Sequence, residues 1–149
     1  MKTIIKPPIT QPGRITSPYG ERKNPFGNGT QFHDGIDYVS AVNRNVYAIA
    51  DGTVTYDMDW YDHSKAWTDK RHSGGNMVIL KHDIDGEIYF VRYLHLVKNF
   101  VSQGQVIKAG DHIGEYADVG MSKGAHLHLD MFNEKWIKID PTPVMKRAL

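Results

Sequence analysis

Apolar and polar positions along this chain alternate in short runs whose period is two, not 3.6. The runs Val46-Tyr47-Ala48-Ile49-Ala50, Gly52-Thr53-Val54-Thr55-Tyr56, Asn76-Met77-Val78-Ile79-Leu80-Lys81-His82 and Glu87-Ile88-Tyr89-Phe90-Val91-Arg92-Tyr93-Leu94 are rich in β-branched and aromatic residues, which favour strands. Turn signals separate them. Asp51-Gly52 and Asp85-Gly86 are strong hairpin dipeptides, and the second lies between two good strand candidates, so an antiparallel hairpin is predicted there. Ser102-Gln103-Gly104-Gln105 and Ala109-Gly110-Asp111 add further turns. Arg14 to Arg22 reads as a short strand ahead of the turn-rich Asn24–Gly29. No long stretch carries a helical period, and at most Leu94–Phe100 holds one helical turn. The pattern predicts a mainly β fold: an antiparallel sheet core, long connecting loops that form a groove, and little helix.

Pro7, Pro8, Pro12 and Gly13 make residues 1–13 a poor helix and an expected surface arm. Residues 14–140 then form one domain, as expected for a chain of 149 residues, with 141–149 as a C-terminal tail. Tyr56 to Gly75 breaks the rule of short connections. It holds Asp57, Asp59, Trp60, Tyr61, Asp62, His63, Trp67 and His72. Loops this long are usually functional or mobile; a tolerated surface insertion is the alternative.

Composition removes several function classes. The chain is 40% hydrophobic and 23% charged with a net charge of +1, so charge makes no case for nucleic acid or an anionic membrane. Cysteine is absent, which excludes disulfides, thiolate zinc sites and cysteine nucleophiles. The start, Met1-Lys2-Thr3-Ile4-Ile5-Lys6, lacks the apolar core of a signal peptide, and nothing approaches a membrane span of about 20 apolar residues. The expectation is a monomeric product made in the cytoplasm without an export route of its own.

Eight histidines direct attention to metal or proton chemistry. In Gly124-Ala125-His126-Leu127-His128-Leu129-Asp130, an extended backbone points His126 and His128 to one face and the leucines to the other. In Gln31-Phe32-His33-Asp34-Gly35-Ile36-Asp37, His33, Gly35 and Asp37 share a face, and the bare glycine leaves room for an ion between the flanking groups. One imidazole and one carboxylate from here, with His128, make three N/O ligands and an open fourth position, the pattern of a catalytic zinc site. Tyr93-Leu94-His95-Leu96 brings another histidine to the end of a predicted strand. A lone histidine beside apolar residues is more often structural, and His63, His72, His82 and His112 are read that way.

Taken together, these runs resemble the lysostaphin-like zinc metallopeptidases (LytM-type, family M23), which cut peptidoglycan peptides. That family shows, in order, a histidine-x-x-x-aspartate run, a tyrosine-x-histidine-leucine run and a histidine-x-histidine run, matched here by His33/Asp37, Tyr93/His95/Leu96 and His126/His128. Ile15–Arg22, Val46–Val54, Gly75–Ile79 and Val101–Gly114 also fit, so the likeness covers about residues 14 to 132. Two departures stand out. The loop from Tyr56 to Gly75 is longer than the family's usual connection, and Val119–Ala125 lacks its threonine-rich turn and proline.

The resemblance implies that His33, Asp37 and His128 bind one Zn²⁺ and that His95 and His126 act in catalysis, either one serving as general base or oxyanion stabiliser. Asp130 shares the histidines' face and is expected to orient His128, a solvent-facing residue being the alternative. Asn76 and Tyr93 are expected to line the groove, and Trp60, Tyr61 and Trp67 to wall it. The long loop is expected to choose the bond. The implied substrate is a peptidoglycan stem peptide or cross-bridge. A small cysteine-free wall hydrolase without a signal suits a phage lysis or virion-associated protein, with phage structural proteins as possible partners. A bacterial wall-remodelling peptidase and a non-catalytic wall-binding or regulatory module on the same fold are the alternatives.

Overall fold

The computed structural model describes residues 2–148. Its strands are β1 (Gly13–Ser17), β2 (Gly20–Lys23), β3 (Thr30–His33), β4 (Ile36–Ser40), β5 (Asn45–Tyr47), β6 (Gly52–Met58), β7 (Asn76–Ile84), β8 (Glu87–Asn99), β9 (Val106–Ile107), β10 (His112–Tyr116), β11 (Leu127–Asn133) and β12 (Lys138–Ile139). One four-residue helix, α1 (Thr142–Met145), follows. No helix among the described residues is long and apolar enough to cross a membrane.

The main sheet runs β1-β4-β11-β8-β7-β6-β9, with β12 on β11 and β5 joined through β10 to the far end of β8; β2 and β3 form a separate pair. Every pairing is antiparallel. The hairpin at Asp85-Gly86 forms as its sequence predicts. Both residues have positive φ, 55° and 90°, the backbone of a tight primed turn, and Ile84 pairs with Glu87. Asp51-Gly52 makes no such hairpin. β5 pairs with β10, while β6 pairs with β7 and β9, because Ala48, Ile49 and Ala50 between them are fully buried and cross the core.

Alternation divides β11 into two faces. Leu127, Leu129 and Met131 have no exposed surface and pack with Ile36, Leu80, Val91 and Leu96; His128 and Asp130 lie on the other face. The proline-rich N-terminal segment is not a free arm. Ile5 and Ile9 are buried in the core, Lys6 N donates to the Ile49 carbonyl and Tyr47 N to the Pro8 carbonyl, both at 2.8 Å. The C-terminal tail is also tied down: Met145 is buried, and Arg147 reaches both Asp85 at the hairpin tip and the Thr3 carbonyl. Apolar residues at 5, 9 and 145 gain more from burial than the prolines lose by refusing regular structure.

His82 is one cost carried by this core. It has no exposed surface; Nδ1 donates to the Asp51 carbonyl at 2.9 Å and Nε2 has no partner. Burial pushes its pKa down to about 4, so the folded state favours the neutral ring. This group's contribution is therefore intact at pH 7 and declines as pH falls from about 6.5, where the unfolded ring protonates, toward 4. The loss should reach about 3 kcal/mol. Urea denaturation between pH 7.5 and 4.5 should show this decline, and His82→Gln should flatten it.

Candidate metal centre and catalytic groove

The groove opens on the sheet face opposite the core and encloses about 720 Å³. β3 and β4 deliver His33 and Asp37 on either side of a sharp connection, and β11 lies against β4 with His128 paired to Asp37. Gly35 makes this approach possible. A β-carbon there would lie 2.5 Å from the Leu129 carbonyl and 2.7 Å from the His128 ring. The glycine thus makes room for the neighbouring strand and imidazole, where the sequence suggested room for an ion.

Three donor atoms converge. Asp37 Oδ1 lies 2.9 Å from His128 Nδ1 and 3.2 Å from His33 Nε2, and the two nitrogens are 3.3 Å apart. Tetrahedral donors at zinc distances stand about 3.3 Å from one another. The nitrogens that face away are already engaged. His33 Nδ1 donates to the Pro18 carbonyl at 2.9 Å and His128 Nε2 to Asp130 Oδ2 at 3.1 Å. Each ring therefore turns an unprotonated nitrogen inward in its neutral form. Two such lone pairs beside a carboxylate need a cation, and the donor set fits Zn²⁺ better than calcium or magnesium, which prefer oxygen.

The charges agree with this. Burial would raise Asp37, but His128 and His33, which donate to it when their rings carry a second proton, outweigh burial and hold the carboxyl well below the usual carboxylate range. Burial would lower His128, but Asp130 and Asp37 raise it to about 9. Without metal, the site holds a proton where a metal ion would sit, so metal uptake must release it.

His95 reaches this face by a break in alternation. A regular β8 would send His95 the same way as Tyr93, into the core. The register slips between Asn76/Leu96 and Val78/Tyr93, and His95 takes a φ of 61°. Leu94 and His95 then both line the groove. The Gly74 carbonyl accepts from His95 N at 2.6 Å and Ala117 N donates to the His95 carbonyl at 3.0 Å. This segment is strand, not the helical turn expected over Leu94–Phe100. His95 Nδ1 donates to the Val119 carbonyl at 2.7 Å, and its ring centroid is 4.7 Å from that of His126. Burial first, then the charges of His126 and His128, push His95 down to about 3, so its ring is neutral at pH 7. His126 Nδ1 donates to the Gly124 carbonyl at 2.8 Å, while Nε2 faces Asp37 Oδ1 at 3.7 Å.

Asp130 does contact His128, and it is no solvent-facing residue. Arg92 grips both its oxygens at 2.7 and 2.6 Å, and Lys138 stands 3.5 Å away. Asp34, 3.6 Å from His128 Nε2, pairs with Lys138 at 2.6 Å. These carboxylates are engaged by cations. Arg92 and Lys138 were not singled out in the sequence; their signal lies in the register, since Arg92 pairs across from Asp130.

The expected groove residues fare differently. Tyr93 is fully buried and its hydroxyl accepts from Ile49 N at 3.0 Å, so it anchors the core. Asn76 is buried too; its Oδ1 accepts from Tyr61 N at 3.0 Å, which tethers the long loop. Trp60 packs edge-on against His72 and Trp67 against Phe26, with neither indole in the groove lining. Phe26 itself lines the groove, so Trp67 supports that wall from behind. Tyr61 is the loop's link to the site: its hydroxyl accepts from Gly120 N at 2.7 Å, next to the Val119 carbonyl that holds His95.

Comparison with known proteins agrees with this architecture. Residues 31–141 match the family description "Peptidase family M23", and the chain belongs to that family. It is 31% identical over 130 residues to an uncharacterized metalloprotease of Haemophilus influenzae, covering 87% of this chain and 25% of the relative. It is 30% identical over 125 residues to the peptidoglycan DD-endopeptidase ShyA of Vibrio cholerae, covering 83% and 26%. The chain thus spans about a quarter of the length of these curated relatives. Among solved structures, the catalytic domain of lysostaphin from Staphylococcus simulans superposes with a TM-score of 0.69 at 27% identity, covering 89% of this chain and 92% of that domain. A zinc-containing peptidase from Vibrio cholerae gives 0.72 at 26%, covering 93% and 39%.

Gly35→Ala tests the close approach behind the donor cluster. The added methyl meets backbone and an imidazole at once, so β4 and β11 must separate. Titration calorimetry should show zinc affinity reduced at least tenfold, with a stability loss of about 1–3 kcal/mol.

Proposed function

We propose that this chain is a zinc-dependent endopeptidase that hydrolyses a peptide bond in bacterial peptidoglycan. The observation that carries the reading is the three-donor cluster with two further imidazoles at its edge. His33 Nε2, Asp37 Oδ1 and His128 Nδ1 would hold one zinc ion. Bound there, zinc supplies Lewis acidity at a scissile carbonyl and lowers the pKa of a coordinated water to about 7. The peptidoglycan DD-endopeptidases ShyA and ShyB among the relatives support wall peptide as substrate, with a cross-link in the stem peptides as the bond.

His95 and His126 share a constraint that sets their order of action. Each commits its Nδ1–H to a backbone carbonyl, so each neutral ring offers only an acceptor, Nε2, to the groove. Neither can stabilise an oxyanion or protonate a leaving amine until it has taken up a proton. The acceptor role, removal of a proton from the attacking water, therefore comes first, and donation to the departing amine follows. His95 sits buried against Val119, whereas His126 retains a solvent-facing edge for proton exchange.

The two groups of residues should separate on mutation. His33→Ala, Asp37→Ala and His128→Ala should lose zinc, read by metal analysis after dialysis. His95→Ala and His126→Ala should keep it and lose about 10²–10⁴-fold in kcat. New amino groups released from purified cell wall, located by mass spectrometry, measure the activity. A zinc-loaded protein that cuts no wall chemotype would overturn the proposal.

A further inference from the structure

Beyond Asp130, the sheet face that carries the donor cluster continues. β11 and β8 pair His128 with Leu94, Asp130 with Arg92 and Phe132 with Phe90, and alternation puts His128, Asp130 and Phe132 on one side. Trp136 closes over the last pair. It stacks on Phe90 with centroids 4.5 Å and planes 19° apart, and tilts against Phe132 at 5.0 Å. Arg92 and Lys138 lie over the Phe132 ring at 5.2 and 5.1 Å. The donor cluster, the ion-paired carboxylates and the aromatic group thus form one unbroken chain of contacts.

Two features set this aromatic group apart from ordinary hairpin packing. Trp136 is 49% exposed and Ile137 beside it 58%, so the cluster shows solvent a large apolar surface next to the groove. Trp136 also holds a φ of 59°, a left-handed backbone that bulky residues rarely adopt. The turn around it is fixed by Asn133, whose Oδ1 accepts from Lys135 N and Ile137 N at 2.9 and 3.1 Å. Glycine or asparagine at 136 would reverse the chain with less strain. Strain of this kind persists where the surroundings enforce it, and it clusters at ligand sites.

We propose that Phe90, Phe132 and Trp136 form a saccharide platform that takes a pyranose ring of the glycan strand to which the substrate peptide is attached. The proposal rests on the peptidoglycan reading above. A pyranose presents a flat C–H face that stacks on aromatic rings, and since Arg92 and Lys138 lie over Phe132 while bonded to Asp130 and Asp34, the half-exposed Trp136 is the ring that receives it. The spacing fits. From His128 to Phe132 the strand advances about 13 Å. An extended peptide covers about 3.3–3.6 Å per residue. A bond some four residues from the sugar therefore reaches the donor cluster while the sugar rests on the platform.

The test compares two substrates. On intact sacculi, Trp136→Gly, which relieves the backbone strain, should lower kcat/KM about tenfold, chiefly through KM, and Trp136→Tyr should restore most of it. On a sugar-free cross-linked peptide dimer, both variants should match the parent. Equal loss on both substrates, or no loss on sacculi, would overturn the platform. Binding gives a readout independent of catalysis. In a Trp60→Phe/Trp67→Phe background, Trp136 is the sole tryptophan, and its fluorescence should change saturably with an N-acetylglucosamine tetrasaccharide. No change at millimolar sugar would also refute the proposal, as would a dimer in sedimentation that Trp136→Gly dissociates. If neither substrate is cut but the sugar binds, the peptidase reading fails and the platform stands.

Discussion

Every imidazole in the groove is fixed by the nitrogen that does not face it. His33 donates to the Pro18 carbonyl, His95 to that of Val119 and His126 to that of Gly124, while His128 donates to Asp130. A histidine left to itself exchanges tautomers and turns freely. Here four acceptors choose the tautomer, and each neutral ring is left with an unprotonated nitrogen facing inward. Metal binding and proton transfer both follow from that choice. The groups that enforce it are mostly backbone carbonyls, so the surrounding loops set the chemistry without contributing a reactive atom.

The exception is His128, whose anchor is a charge. Asp130 has no exposed surface, and an isolated carboxylate there would be costly. Arg92 and Lys138 neutralise it, and Lys138 also holds Asp34. Leaving Asp130 unpaired would weaken the fold and loosen the His128 ring together. The network thus belongs to the site as much as the donors do. It also connects the site to the aromatic cluster at Phe132, because the same two cations lie over that ring.

What could be read from the sequence was local. Period-two alternation put His126 and His128 on one face, and Asp85-Gly86 marked its hairpin, because each depends only on neighbours in the chain; His33 and Asp37 meet instead across the break between β3 and β4. The misreadings share one cause, since each needed knowledge of which strand lies alongside. Asp51-Gly52 has hairpin chemistry, yet β5 and β6 take other partners. Tyr93 and Asn76 stand beside residues that matter, but their faces are set by the slip between β7 and β8. Arg92 gains meaning only through its pairing with Asp130. The N-terminal prolines correctly excluded a helix but said nothing about where Ile5 and Ile9 would be buried.

The left-handed backbone at His95 sets fold and chemistry against each other at a single residue. A side chain there costs about 1–2 kcal/mol that glycine would not incur, and asparagine tolerates the conformation better than most. His95→Gly or His95→Asn would thus relax the strand at the moment it removed an imidazole from the groove. Most substitutions in a buried strand weaken a protein; here relief of strain is set against the lost packing and the lost hydrogen bond to Val119. Selection for turnover, rather than the backbone's own preference, is what holds an imidazole at a position shaped for glycine or asparagine.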